Sequence, residues 1–168
     1  MTLRELNALP KEQIREELFK CCGSSRWANL LSELFPYNNK ESLLYSSEKI
    51  WKQLDKEDWL EAFTHHPKIG DVKSLQKKFA STAKWASGEQ SAVSKASDEV
   101  IQALADGNSL YEDKFGFIFI VCATGKSADE MLGLLKQRLP NNKEEEILIA
   151  AEEQNKITAI RLEKLLAK

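Results

Sequence analysis

Apolar residues recur at intervals of three and four along most of this chain, and alternation with a period of two is nearly absent, so its elements read as helices with short polar connections. An all-α fold follows from that pattern. Ile14, Leu18, Cys21 and Cys22 form one stripe, Gly23 and Ser24 interrupt it, and Trp27, Leu30, Leu31 and Leu34 form the next before Pro36. A third stripe uses Leu43, Leu44, Ile50, Trp51 and Leu54. Asp55 can then cap a short helix through Trp59, Leu60 and Phe63, which stops near His66 because Pro67 pushes the residue before it out of the α region. The spacing predicts a helix from Ser87 to Tyr111, with Gly107 and Asn108 as its break. Ser127 and Glu130 make a capping-box pattern for a helix carrying Met131, Leu134, Leu135 and Leu139, and a long last helix starts near Lys143. The exception is the run FGFIFIVCA, Phe115 to Ala123, which reads as a short buried strand or an extended apolar segment. No repeat, linker or low-complexity tract divides the chain, so residues 1–168 are expected to make a single compact multi-helix domain.

Charge removes several function classes. Lys+Arg number 24 against Asp+Glu 26, a net charge of -2, which leaves no surplus to neutralise phosphates; neither nucleic acid nor an anionic membrane is expected as a partner. No apolar run approaches the roughly 18 residues of a bilayer span, and the first residues, MTLRELNALPKEQ, do not resemble a leader. Three cysteines, two of them adjacent, do not suggest a disulfide framework. A reducing, cytoplasmic setting is the expectation.

Few strings can carry chemistry. Thr124, Gly125, Lys126 and Ser127 imitate the end of a phosphate-binding loop, but Ile120 stands where that loop requires glycine. His65 and His66 are the only histidines, and neighbours on a helix point about 100° apart, so one ion is not readily chelated by both and no metal site is expected. The string HHPKIGD, 65–71, places imidazoles at a helix end, where the dipole favours the imidazolium; by itself it reads first as a plain helix stop with a solvated His and second as a proton carrier. Glu89 and Gln90 fit a substrate grip or a first-turn dipole complement. In the last helix Ala150, Gln154, Ile157, Arg161 and Leu165 fall on one 3.6-period stripe, where an Arg either snorkels outward or meets an anion.

Taken in order, HHPKIGD at 65–71, WASGEQSAV at 85–93, Asn108 with Tyr111, KFGFIFIVCATGKS at 114–127 and QNKITAIRLEKL at 154–165 resemble the decarboxylases of 2-oxo-4-hydroxy-4-carboxy-5-ureidoimidazoline (OHCU), which complete the conversion of urate to (S)-allantoin. The resemblance spans nearly the whole chain. It implies an all-α, cofactor-independent carbon–carbon lyase over 1–168, releasing CO2 and (S)-allantoin, with small-molecule partners and room for a homodimer. By the same resemblance His66 is the catalytic imidazole and Glu89 its acidic partner. Gln90 and Arg161 bind substrate, while Pro67, Phe117 and the backbone of Ile118, Ile120 and Val121 line the pocket. The family often carries Ser three positions before that Glu; this chain has Ala86 there and a hydroxyl one place later at Ser87, which is grouped with the substrate-binding residues. Two competing readings stand beside this one: a helical interaction module whose last helix packs on a partner, and a decarboxylase of the same fold acting on another ureido acid.

Overall fold

Short polar side chains start most helices of this protein, and the structure, a computed structural model, describes them over residues 1–66, 72–77 and 90–167, with side chains for all of these except 90–97. Thr2 caps α1 (Leu3–Ala8) in a reciprocal capping box with Glu5, and Pro10 precedes α2 (Lys11–Cys21). Ser24 accepts from the Trp27 N–H to open α3 (Ser25–Ser32), and Asn39 accepts from the Ser42 N–H to open α4 (Lys40–Gln53). Asp55 and Asp58 box the start of α5 (Lys56–Thr64). Residues 72–77 belong to α6, followed by α7 (Gln90–Phe115), α8 (Ala128–Arg138) and α9 (Lys143–Leu165). The fold is all-α, and no strand occurs among the described residues.

The chain divides into two compact units, Met1–His66 with Ile147–Lys168, and Pro67–Glu146. In the first, Leu6, Leu18, Trp27, Leu31, Leu43, Phe63 and Leu162 are fully or almost fully buried. Three indoles stitch its helices together: Trp27 donates to the Ser47 carbonyl at 3.2 Å, Trp51 to the Ala151 carbonyl at 2.8 Å and Trp59 to the Trp51 carbonyl at 3.0 Å. Each ring buries apolar area without stranding its N–H. Leu30 and Leu34, expected on the inner stripe, are exposed: the buried face of α3 is Trp27, Ala28, Leu31 and Ser32, to which Leu30 stands sideways, and Leu34 lies past the helix end. Gly23 is required by close approach, since a Cβ there would lie 2.5 Å from the Cβ of His65.

In the second unit the helix expected to break at Gly107 and Asn108 runs straight through them to Phe115. Gly107 serves packing rather than termination: a Cβ there would come 2.5 Å from Cδ2 of the buried Leu135 on α8. The stop is instead Gly116, at φ 81°, whose N–H returns to the Glu112 carbonyl at 2.8 Å. Phe115, expected in the extended segment, is therefore the last helical residue, and 116–127 is neither helical nor paired into a sheet. Ser127 ends that segment by capping α8, accepting from the Glu130 N–H at 3.2 Å.

Candidate active site

The end of α5, the end of α2 and one face of α9 meet inside the first unit. His65 closes α5, its N–H bonded to the Ala62 carbonyl, and His66 follows with its N–H on the Phe63 carbonyl at 3.3 Å. The two imidazoles part ways there. His65 is exposed and sets its ring edge-on to Phe19, 5.0 Å between centroids, while His66 is half-buried and its Nε2 meets Oε1 of Gln154. Gln154 is fully buried and passes the connection on, its Nε2 donating to the Thr158 hydroxyl at 3.0 Å. Arg161, one turn further along α9, is half-buried and donates from Nη1 to the Cys21 carbonyl at 3.4 Å.

The electrostatics of this cluster differ from the expectation drawn from the helix end. A helix C-terminus alone favours the imidazolium. Here burial pushes the His66 pKa down and the Arg161 charge adds to that, while the Gln154 hydrogen bond works against both; the net direction is downward from the ordinary 6.5. His66 is thus held neutral, able to accept a proton. The neighbouring thiols are held neutral more strongly: burial raises Cys21 to about 11 and Cys22 to about 12, with Arg161 opposing in each case. Neither is a nucleophile at physiological pH.

Arg161 lies at the edge of the inner face of α9 rather than in its centre, where Ile147, Ala150, Ala151, Gln154, Thr158 and Leu162 are buried. Among the described residues one of its five N–H donors meets a protein acceptor, so the planar fork keeps donors for an anion.

The other expected lining residues belong to the second unit. Phe117 and Ile120 are buried and Ile118 and Val121 half-buried, all in the segment between α7 and α8. That segment is held by a buried cluster that sequence reasoning missed. Arg138 bonds Glu146 through Nε and Nη2, donates from Nη1 to the Ile120 carbonyl at 2.5 Å, and reaches the Tyr111 hydroxyl at 3.2 Å. Tyr111 donates to Glu146 at 2.5 Å, and burial and that bond raise its pKa. The signal in the sequence was Arg138 itself, which stands three and seven residues beyond Leu135 and Met131 on their buried stripe. Gln154 was on the stripe that sequence analysis found, without a role assigned to it. Pro67, Ser87 and Glu89 lie outside the described residues, as does the side chain of Gln90, whose backbone opens α7. Among the described residues no group of three His, Cys, Asp or Glu side chains is placed to hold a metal ion, and no helix is long and apolar enough to cross a membrane. The Thr124–Ser127 string makes a turn at Gly125, φ 76°, and spends its serine as the α8 cap.

The family model described as OHCU decarboxylase matches residues 7–163. The uric acid degradation bifunctional protein TTL of Arabidopsis thaliana is 42% identical over 155 residues, 91% of this chain and 48% of that protein. A Haloferax volcanii protein named 2-oxo-4-hydroxy-4-carboxy-5-ureidoimidazoline decarboxylase is 23% identical over 163 residues, 96% of this chain and 94% of its own length. Among solved structures, an OHCU decarboxylase crystallised in the presence of (S)-allantoin matches with a TM-score of 0.71 at 40% identity, over 90% of this chain and 98% of that one. The chain spans about half the length of the Arabidopsis relative.

Proposed function

This chain belongs to the OHCU decarboxylase family, and we propose on that premise that it converts OHCU to (S)-allantoin and CO2 in urate degradation. The observation that carries the proposal is the neutral, half-buried imidazole of His66 beside the guanidinium of Arg161, with a buried amide fixing the ring. Such a trio suits a reaction that binds an anion and moves protons.

The substrate explains why so little else is needed. Its leaving carboxylate sits on the carbon next to a C=N bond, so the electron pair of the breaking C–C bond moves into the ring, which takes up a proton at nitrogen. The carbon that loses CO2 ends as a carbonyl once its hydroxyl gives up a proton, and the neighbouring ring carbon receives one. Atoms and charge balance without an external electron sink, and the reading assigns no metal or organic cofactor. The protein supplies orientation, a partner for negative charge and proton delivery to one face. Arg161 meets the anionic or carbonyl oxygens with its fork. His66, neutral at rest, accepts the hydroxyl proton and returns one to carbon. Glu89 steadies the imidazole or grips ureido N–H groups, and Gln90, Pro67, Ser87, Phe117, Ile118, Ile120 and Val121 are the further substrate-binding residues that the family resemblance implies. The support for treating 1–168 as one functional domain is the match at 7–163, and the same reading places the protein in the cytoplasm, where a homodimer is compatible with it.

The test is turnover of freshly generated OHCU, followed by loss of its absorbance and by the circular dichroism of the product. Accelerated loss with accumulation of the (S) enantiomer is expected. A rate equal to the spontaneous one, or racemic allantoin, overturns the proposal, and turnover of a different ureido acid in its place transfers the site to that substrate.

A further inference from the structure

We propose that Gln154 is a positioning residue that sets the tautomer of His66, keeping its Nε2 protonated and leaving Nδ1 bare as the proton-accepting atom; this deepens the reading of His66 as proton carrier and rests on it. A fully buried carboxamide in the middle of α9 needs partners for its oxygen and its NH2, and it has one at each end: Oε1 faces His66 Nε2 and Nε2 donates to Thr158 at 3.0 Å. An oxygen facing a ring nitrogen of a neutral imidazole requires that nitrogen to carry the hydrogen.

The sense of the amide is what matters, since turning it by 180° would reverse the tautomer. Thr158 decides it. The hydroxyl has a single hydrogen, and the Cys22 thiol, kept protonated up to about pH 12, lies in hydrogen-bonding reach of it. An S–H is a weak donor. The sulfur is a weak acceptor too, so the balance is set by the Gln154 backbone carbonyl one turn back: a Thr158 hydrogen directed there leaves the hydroxyl lone pair for the Gln154 NH2. The relay Cys22, Thr158, Gln154, His66 then has one direction, with donors pointing from His66 toward Thr158 through the amide. Arg161, on the same helix, bonds the carbonyl of Cys21, so the ends of α2 and α5 are registered against one face of α9. None of these relay atoms needs to touch the substrate. Their effect on chemistry passes through which imidazole nitrogen is available.

The tautomer is readable directly. With His labelled in 15N, the chain gives two ring systems, and a His65→Gln variant identifies which belongs to His66. In the wild-type protein His66 should show a protonated Nε2 and a bare Nδ1. Gln154→Met, similar in length but without an acceptor, should give a mixed tautomer and lower kcat about tenfold or more with KM little changed. Gln154→Glu restores an oxygen acceptor but its charge favours the imidazolium, so at a pH above the raised His66 pKa it should recover the neutral form with Nε2 protonated and Nδ1 bare. A wild-type spectrum with Nδ1 protonated overturns the proposal without any substitution at position 154, as does a folded Gln154→Met protein whose tautomer and kcat match wild type. Failure of the proton-carrier reading looks different: His66→Asn would then keep its full rate whatever the tautomer in the wild-type spectrum.

Discussion

His66 titrates under two influences of the same sign, burial and the Arg161 charge, which outweigh the Gln154 hydrogen bond and hold the folded pKa below 6.5. The unfolded chain therefore binds more protons than the folded one as pH falls, and stability rises with pH through this window. The contribution is complete above the unfolded value of 6.5 and is lost as pH drops from there through the folded pKa. We expect Tm between pH 7 and 5 to fall more steeply for wild type than for His66→Asn; equal slopes would mean that His66 is not the depressed group. On activity, His66→Asn should cost about a hundredfold or more in kcat, against a much smaller loss for the exposed His65→Asn. Initial rates of the two variants on fresh substrate check this, and equal losses would remove the distinction between the two imidazoles. Arg161→Ala should cost on the order of 2 kcal/mol of binding, at least tenfold in kcat/KM, and Arg161→Lys should recover only part because it restores charge without the fork. Thermal midpoints taken beside the rates separate this from a packing role, in which Ala would lower Tm and leave the rate per folded molecule unchanged.

At the scale of helices, glycines show how one residue type serves opposite ends. Gly107 and Gly133 are both helical, yet a Cβ at the first would press within 2.5 Å of Leu135 and a Cβ at the second would meet nothing within 4 Å. Gly133→Ala should stabilise by about 0.5–1 kcal/mol through lower backbone entropy in the unfolded chain. Gly107→Ala gains the same increment but overpacks a buried leucine, a cost of about 1–3 kcal/mol, and should come out neutral to destabilising. Differential scanning calorimetry of the pair gives the answer, and equal gains from both would show that α7 and α8 can separate freely at that point. The break expected at Gly107 reflects the same ambiguity: glycine marks either a stop or a close approach, and only the identity of the neighbour tells which. Helix starts carried no such ambiguity, because Ser24, Asn39, Asp55 and Ser127 bond N–H groups three residues on, within reach of local sequence.

At the scale of the whole molecule, polar groups from separate parts of the described chain meet in buried clusters. Arg138 and Glu146 form an ion pair shielded from water, with Tyr111 and the Ile120 carbonyl completing its hydrogen bonds. Removing one partner leaves the other charge uncompensated, so Arg138→Ala should lose about 3–5 kcal/mol and release the Ile120 backbone. Urea denaturation together with hydrogen exchange at 117–122 tests both parts; a stability loss with unchanged exchange would free that segment from Arg138. Local rules determine what lies within a few residues. The 3.6-residue apolar period makes the protein all-α, caps set the helix starts, and the order of the HHPKIGD, GEQ, FGFIFIVCA and KITAIRL strings carries the family. Arg161 was also visible beforehand, because an arginine in phase with apolar neighbours is anomalous in one dimension. What tertiary structure alone decided is the state of those residues: that Gln154 reaches back 88 positions to His66, that Arg161 and burial reverse the tendency of the helix end, and that Arg138 is an anchor rather than a surface charge. The physical reason is that desolvation and charge pairing depend on distance in space, while periodicity and capping depend on distance along the chain.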